Sequence, residues 1–143
     1  MQDQIKKMLE TEISSIEQWQ EVAEKIKQLL KHNILFLKGN LGAGKTTFTQ
    51  HLVKLLGSND EVTSPTYSIV NEYETPQGKI FHFDLYRLRN LEEVYDIGIE
   101  DYLDNAFLSI IEWPEIFQDE ISDLPHHEME ITNSNQTRSI KFK

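Results

Sequence analysis

One short stretch limits the fold of this chain more than any other. Gly39-Asn40-Leu41-Gly42-Ala43-Gly44-Lys45-Thr46 has the spacing Gly-x-x-x-x-Gly-Lys-Thr, and a loop of that kind works only between a strand and a helix. Both flanks fit. Ile34-Leu35-Phe36-Leu37-Lys38 is an apolar run that reads as a buried parallel strand. Residues 46–56 gather Phe48, Leu52, Val53, Leu55 and Leu56 on one side, and Gly57 ends the helix. The glycines let successive backbone N–H groups turn inward toward phosphate oxygens. The helix N-terminus adds partial positive charge at the same place. The expected contacts to a nucleotide are Gly39 through Thr47, with Lys45 reaching the β- and γ-phosphates and the Thr46 hydroxyl ligating magnesium. A chance match to this pattern in a chain of such length is on the order of half a percent at ordinary glycine usage.

A phosphate loop does not say what the phosphates are for, so the remaining machinery must lie elsewhere. Asp84 closes Phe81-His82-Phe83-Asp84, at the end of an alternating strand where a magnesium-side carboxylate is needed. The alternative is an Asp that caps the next turn. Glu112 closes the apolar run Phe107-Leu108-Ser109-Ile110-Ile111. Ligands gather at the carboxyl ends of parallel strands, so Glu112 faces the nucleotide, as a metal ligand or as the group orienting the attacking water. The competing reading is a helix-start carboxylate before Pro114. Lys45, Asp84 and Glu112 are the candidate catalytic residues, and Thr46, Glu112 and Asp84 the candidate metal ligands.

The rest of the chain reads as one α/β domain over its 143 residues. An amphipathic helix is expected over residues 13–30, started by Ser14 or Ser15 with Glu17 or Gln18 three residues on. Residues 67–74 and 79–86 form a hairpin around Thr75-Pro76-Gln77-Gly78. Residues 91–103 give one or two short helices broken near Gly98, and residues 128–131 and 139–142 close the domain around Asn133-Ser134-Asn135-Gln136. His126 and His127, adjacent on a strand, point to opposite faces and do not share an ion, so both are expected in solvent.

Composition narrows the partners. Fourteen Lys and Arg against 24 Asp and Glu leave a formal charge of −10, which suits neither RNA nor DNA, since both are held mainly by neutralising phosphates. No cysteine is present, so disulfides and thiolate metal sites are excluded. No apolar run approaches the ~20 residues of a membrane span, and Met1-Gln2-Asp3-Gln4-Ile5-Lys6-Lys7 lacks the apolar stretch of a signal peptide. The expected location is the cytoplasm, with no membrane partner.

Neither of two large nucleotide-using classes fits well. No guanine-specifying Asn-Lys-x-Asp string occurs, and Leu85-Tyr86-Arg87 after Asp84 is not a GTPase switch. Small-molecule kinases close an arginine-bearing lid, whereas the three arginines here are Arg87, Arg89 and Arg138, with no lid segment around them. An ATPase without a small acceptor fits best. The alternatives are a nucleotide-gated interaction module and a P-loop kinase for a small metabolite.

The motifs taken in order carry a resemblance. Gly42-Ala43-Gly44-Lys45-Thr46-Thr47-Phe48 is followed by Val62-Thr63-Ser64-Pro65-Thr66-Tyr67 with Asn71-Glu72-Tyr73. His82-Phe83-Asp84-Leu85-Tyr86-Arg87-Leu88 and Ile111-Glu112-Trp113-Pro114-Glu115 come next. Over roughly residues 13–142 the chain resembles the TsaE family, small bacterial ATPases of threonylcarbamoyladenosine synthesis on tRNA. The resemblance implies a mostly parallel sheet with an antiparallel portion, flanked by helices. It implies ATP and Mg2+ as cofactors, TsaB-like and TsaD-like partners, and contact with tRNA only through them; self-association stays open. It implies a switch near the γ-phosphate at Thr63, Ser64 and Thr66, and metal ligation by Thr46 and Glu112 with Asp84 in support. Trp113 is placed beside the nucleotide or in the core. Adenine contacts are implied near Ser14 or Ser15 and near Asn135 or Gln136.

Overall fold

The structure is a computed structural model that describes residues 9–40, 42–65 and 68–143. Leu41, Thr66 and Tyr67 lie outside the described residues, and with them the expected Leu41 and Thr66 contacts. Strands β1 (Leu9–Ile13), β2 (Ile34–Lys38), β3 (Val70–Thr75), β4 (Gly78–Asp84), β5 (Leu108–Glu112), β6 (His127–Ser134) and β7 (Thr137–Phe142) form one sheet in the order β1-β7-β6-β2-β5-β4-β3. Its middle, β6-β2-β5-β4, is parallel. The edges are antiparallel, β3 against β4 on one side and β7 against β6 and β1 on the other.

Both faces of the central strands are covered, which explains why β2 reads as an unbroken apolar run. Leu35 and Leu37 join Trp19, Val22, Ile26, Phe48 and Leu52 in one core cluster, beneath α1 (Gln18–Leu29) and α2 (Lys45–Leu55). Ile34 and Phe36 join Phe81, Phe83, Val94, Ile99 and Phe117 in a second, under α3 (Leu91–Asp96), α4 (Ile99–Asn105) and two 3-10 turns, Pro114–Ile116 and Gln118–Ile121. The break expected near Gly98 separates α3 from α4.

The chain departs from expectation at its first helix. Residues 9–13 are a strand, and Ile13 pairs with Arg138 of β7; helical hydrogen bonding begins only at Gln18. An apolar residue at helical spacing is equally an inward-facing residue of a strand end, and pairing with β7 decides it. The serines do meet Gln18, whose Oε1 accepts from the backbone N–H of Ser14 at 2.7 Å and of Ser15 at 3.0 Å. The expectation for His127 also fails. His127 is buried, and its Nε2 accepts from the N–H of Lys31 at 3.0 Å and of His32 at 3.1 Å. It ties the α1–β2 connection to β6, a long-range contact that local pattern does not reveal.

Candidate nucleotide site

On the face that carries α1 and α2, β4 and β5 change character along their length. In β4 the inward positions run Ile80, His82, Asp84; in β5 they run Leu108, Ile110, Glu112, with Asp84 in register with Glu112. Apolar residues fill the core, and polar ones emerge at the carboxyl ends, where a doubly wound sheet presents its ligands. The loop after β2 arrives at the same edge.

That loop is shaped by close packing. Gly44 has φ of 114°, and a Cβ there would lie 2.5 Å from Cζ2 of the buried Trp19. Only glycine satisfies both the backbone angle and the contact. Arg138 of β7 supports the loop from the other side, its Nε donating to Ala43 O at 2.9 Å and its Nη2 to Gly42 O at 3.4 Å. α2 starts at Lys45, so the N–H groups of its first turn have no helical partner and face the cavity end with the helix dipole.

Lys45, Thr46, Thr47, Ser64, Asp84, Glu112 and Trp113 line one cavity of about 230 Å3 together with Gly42 and Gly44. The Lys45 ammonium sits 2.6 Å from Gly39 O, 3.7 Å from Glu112 Oε1 and 4.3 Å from the centre of the Trp113 ring. Burial pushes its pKa below the usual lysine range, while the Glu112 and Asp84 carboxylates pull it back. A cation held this way, by one carbonyl and neighbouring carboxylates, is positioned to exchange them for phosphate oxygens. Asp84 Oδ1 accepts the Tyr86 N–H at 3.0 Å, so it does cap the following turn while lining the cavity. Trp113 lies on the cavity wall rather than in the core; its φ of 54° turns the chain sharply after Glu112, and its ring is 4.8 Å from that of Tyr86.

Among the described residues no group of three or more His, Cys, Asp or Glu side chains converges as a metal cage. Magnesium, though, binds through one or two carboxylates plus phosphates and water, and a Thr hydroxyl beside two carboxylates fits that pattern. A second cavity of about 170 Å3 adjoins the loop across Trp19 and Arg138, lined by Ile13, Ser14, Ser15, Ile16 and Gln136 as well. Its flat apolar and short polar groups suit a purine. Asn135 stands at the exposed tip of the β6–β7 hairpin with φ of 57°, outside that lining. Sequence reasoning missed Trp19, Arg138, His82 and Tyr73 as parts of this region. Of these, only His82 left a local signal, since strand alternation puts it on the face of Asp84.

Comparison with known proteins bears on the family and the fold. The family model described as threonylcarbamoyl adenosine biosynthesis protein TsaE matches residues 13–140. The chain is 40% identical over 111 residues to a Rickettsia bellii protein named tRNA threonylcarbamoyladenosine biosynthesis protein TsaE, covering 76% of each. An Aquifex aeolicus protein of the same name is 42% identical over 106 residues, covering 72% of this chain and 74% of that one. A Rickettsia felis protein of that name is 41% identical over 108 residues, which are 74% of this chain but only 63% of that protein's length. The crystal structure of Bacillus subtilis YdiB superposes with a TM-score of 0.73 at 26% identity, over 94% of this chain and 83% of that one.

Proposed function

Because the chain belongs to the TsaE family, we propose that it binds and hydrolyses Mg-ATP for threonylcarbamoyladenosine synthesis on tRNA, acting with TsaB-like and TsaD-like proteins. One observation carries this reading: Lys45, Asp84 and Glu112 converge in a single cavity at the N-terminus of α2. The names of the relatives point to the same pathway.

In this reading the loop N–H groups and Lys45 hold the phosphates, and Thr46 with Glu112, supported by Asp84, holds Mg2+. An ion held there would supply charge neutralisation for the phosphate oxygens. Glu112 either ligates the ion or orients water, and Trp113 shields the Lys45 side of the cavity. The purine lies in the neighbouring cavity of Ser14, Ser15, Gln136 and Arg138. A charge of −10 makes the partners, not this chain, the surface on which tRNA rests.

Phosphate release by the chain alone and with both partners tests the proposal, alongside co-elution in ATP, ADP or no nucleotide. We expect association that depends on nucleotide and turnover that rises with the partners. Identical association in all three states with unchanged turnover would overturn the partner role. Rapid, partner-independent phosphorylation of a small acceptor would make the protein a kinase.

A further inference from the structure

Behind Glu112 lies a chain of buried polar groups that nucleotide contact does not use. Glu112 Oε2 is 2.5 Å from Nε2 of His82, a side chain with no exposed surface. Nδ1 of His82 is 3.1 Å from the Tyr73 hydroxyl, which lies 3.2 Å from the carbonyl oxygen of Thr63. Thr63 is held further by Asn71, whose Nδ2 donates to its carbonyl at 3.1 Å. Its neighbour Ser64 is on the wall of the phosphate cavity. Three hydrogen-bonded contacts therefore join the Glu112 carboxylate to a segment that lines the same cavity.

The proton count makes the two ends dependent on each other. A carboxylate at Glu112 selects the imidazole tautomer that donates from Nε2, and Nδ1 is then an acceptor. The Tyr73 hydroxyl has one hydrogen and two acceptors in reach, Nδ1 and the Thr63 carbonyl. Burial raises its pKa, so that hydrogen stays on the oxygen. When the segment at Thr63 draws close, the hydrogen is shared; when it moves off, the hydrogen belongs wholly to His82. A histidine that donates to a metal-side carboxylate fixes that carboxylate's orientation.

We propose that Tyr73 and His82 are positioning residues that couple the conformation of residues 62–65 to the orientation of the Glu112 carboxylate. The segment and the carboxylate then align together rather than independently. This coupling rests on the nucleotide reading given above, and it assigns to two core residues a part in regulating that site.

Two measurements test it. In steady-state phosphate release, Tyr73→Phe keeps the ring packed and removes the link, and His82→Asn keeps a group toward Tyr73 but falls short of Glu112. Each should lower kcat about 10–100-fold, the loss seen when an outer partner of a metal ligand is removed, with little change in KM. The double variant should be no slower than the slower single one, because both cut one link. In the nucleotide-free chain, amide exchange at Val62, Thr63 and Ser64 should rise in Tyr73→Phe and also in Glu112→Ala, with Glu112→Gln as the milder replacement. A wild-type kcat in Tyr73→Phe, or additive losses in the double variant, would overturn the coupling. So would unchanged exchange in both end variants. Absence of turnover in the wild type would overturn the ATPase reading alone, since the exchange measurement does not depend on it.

Discussion

Lys45 and Glu112 stand 3.7 Å apart in the same cavity, yet their replacement separates binding from turnover. Lys45→Ala removes the one cation facing the phosphates in the described lining, so protection by Mg-ATP should be lost together with turnover. Glu112→Gln keeps the shape and an acceptor toward His82, so protection should persist while turnover falls on the order of 100-fold, as when one preorganised charge is deleted. Thermal melts check the first half, since a ligand at 100 times its Kd adds about 2.7 kcal/mol; phosphate release checks the second. Full turnover in Lys45→Ala would remove the loop from the chemistry. The sequence makes these two residues visible because a spaced motif and a strand end are local facts. Arg138 was not visible as a support of the loop. It meets Ala43 across 95 positions, and nothing near it in the chain announces that meeting.

At the scale of elements, α1 and the phosphate loop are fitted to each other through Trp19 and Gly44. Gly44→Ala would press a methyl group to 2.5 Å from the indole and force alanine to φ of 114°. Overpacking of this kind costs about 1–3 kcal/mol, so the melting temperature should fall and α2 should shift relative to the loop. Trp19→Phe in the same chain, lacking the ring atom that clashes, should restore part of the loss; no recovery would mean that backbone strain dominates. Elements carrying strong pattern were legible: β2 has the bounds expected for it, and α2, β4 and β5 differ only at their ends. β1 was not, because Leu-Glu-Thr-Glu-Ile becomes a strand through pairing with β7, and the charged alternation is equally at home in a loop. The first 3-10 turn after Glu112 does open on Pro114, as a helix start there requires, whereas the positive φ of Trp113 that leads into it has no local signal.

Across the whole molecule, His127 holds distant parts together. Its Nε2 accepts from Lys31 and His32, and its Nδ1 lies 3.2 Å from the carbonyl oxygen of Lys143. Burial lowers its pKa; the Lys143 carbonyl acts against that, and His32, His126 and Lys31 act with it. The unfolded chain therefore takes up this proton first, near pH 6.5. Above that pH both states are neutral and the contribution is complete; it shrinks as pH falls toward the folded-state value. Melting temperatures between about pH 7.5 and 5.5 should drop more for the wild type than for His127→Gln, whose amide oxygen accepts without titrating (a window of about one unit on either side of the unfolded pKa). Parallel losses in the two proteins would clear His127 of the effect.

The contact between Arg138 and the loop has a further consequence in time. A ribosome delivers Ala43 95 residues ahead of Arg138, which at typical elongation speeds is a delay of about 5–20 s. Throughout that delay the strand that braces the glycine loop does not yet exist. β6, which flanks β2, arrives in the same late interval. Nucleotide readiness thus waits for β7, and a nascent chain halted before β7 carries the motif without its Arg138 brace.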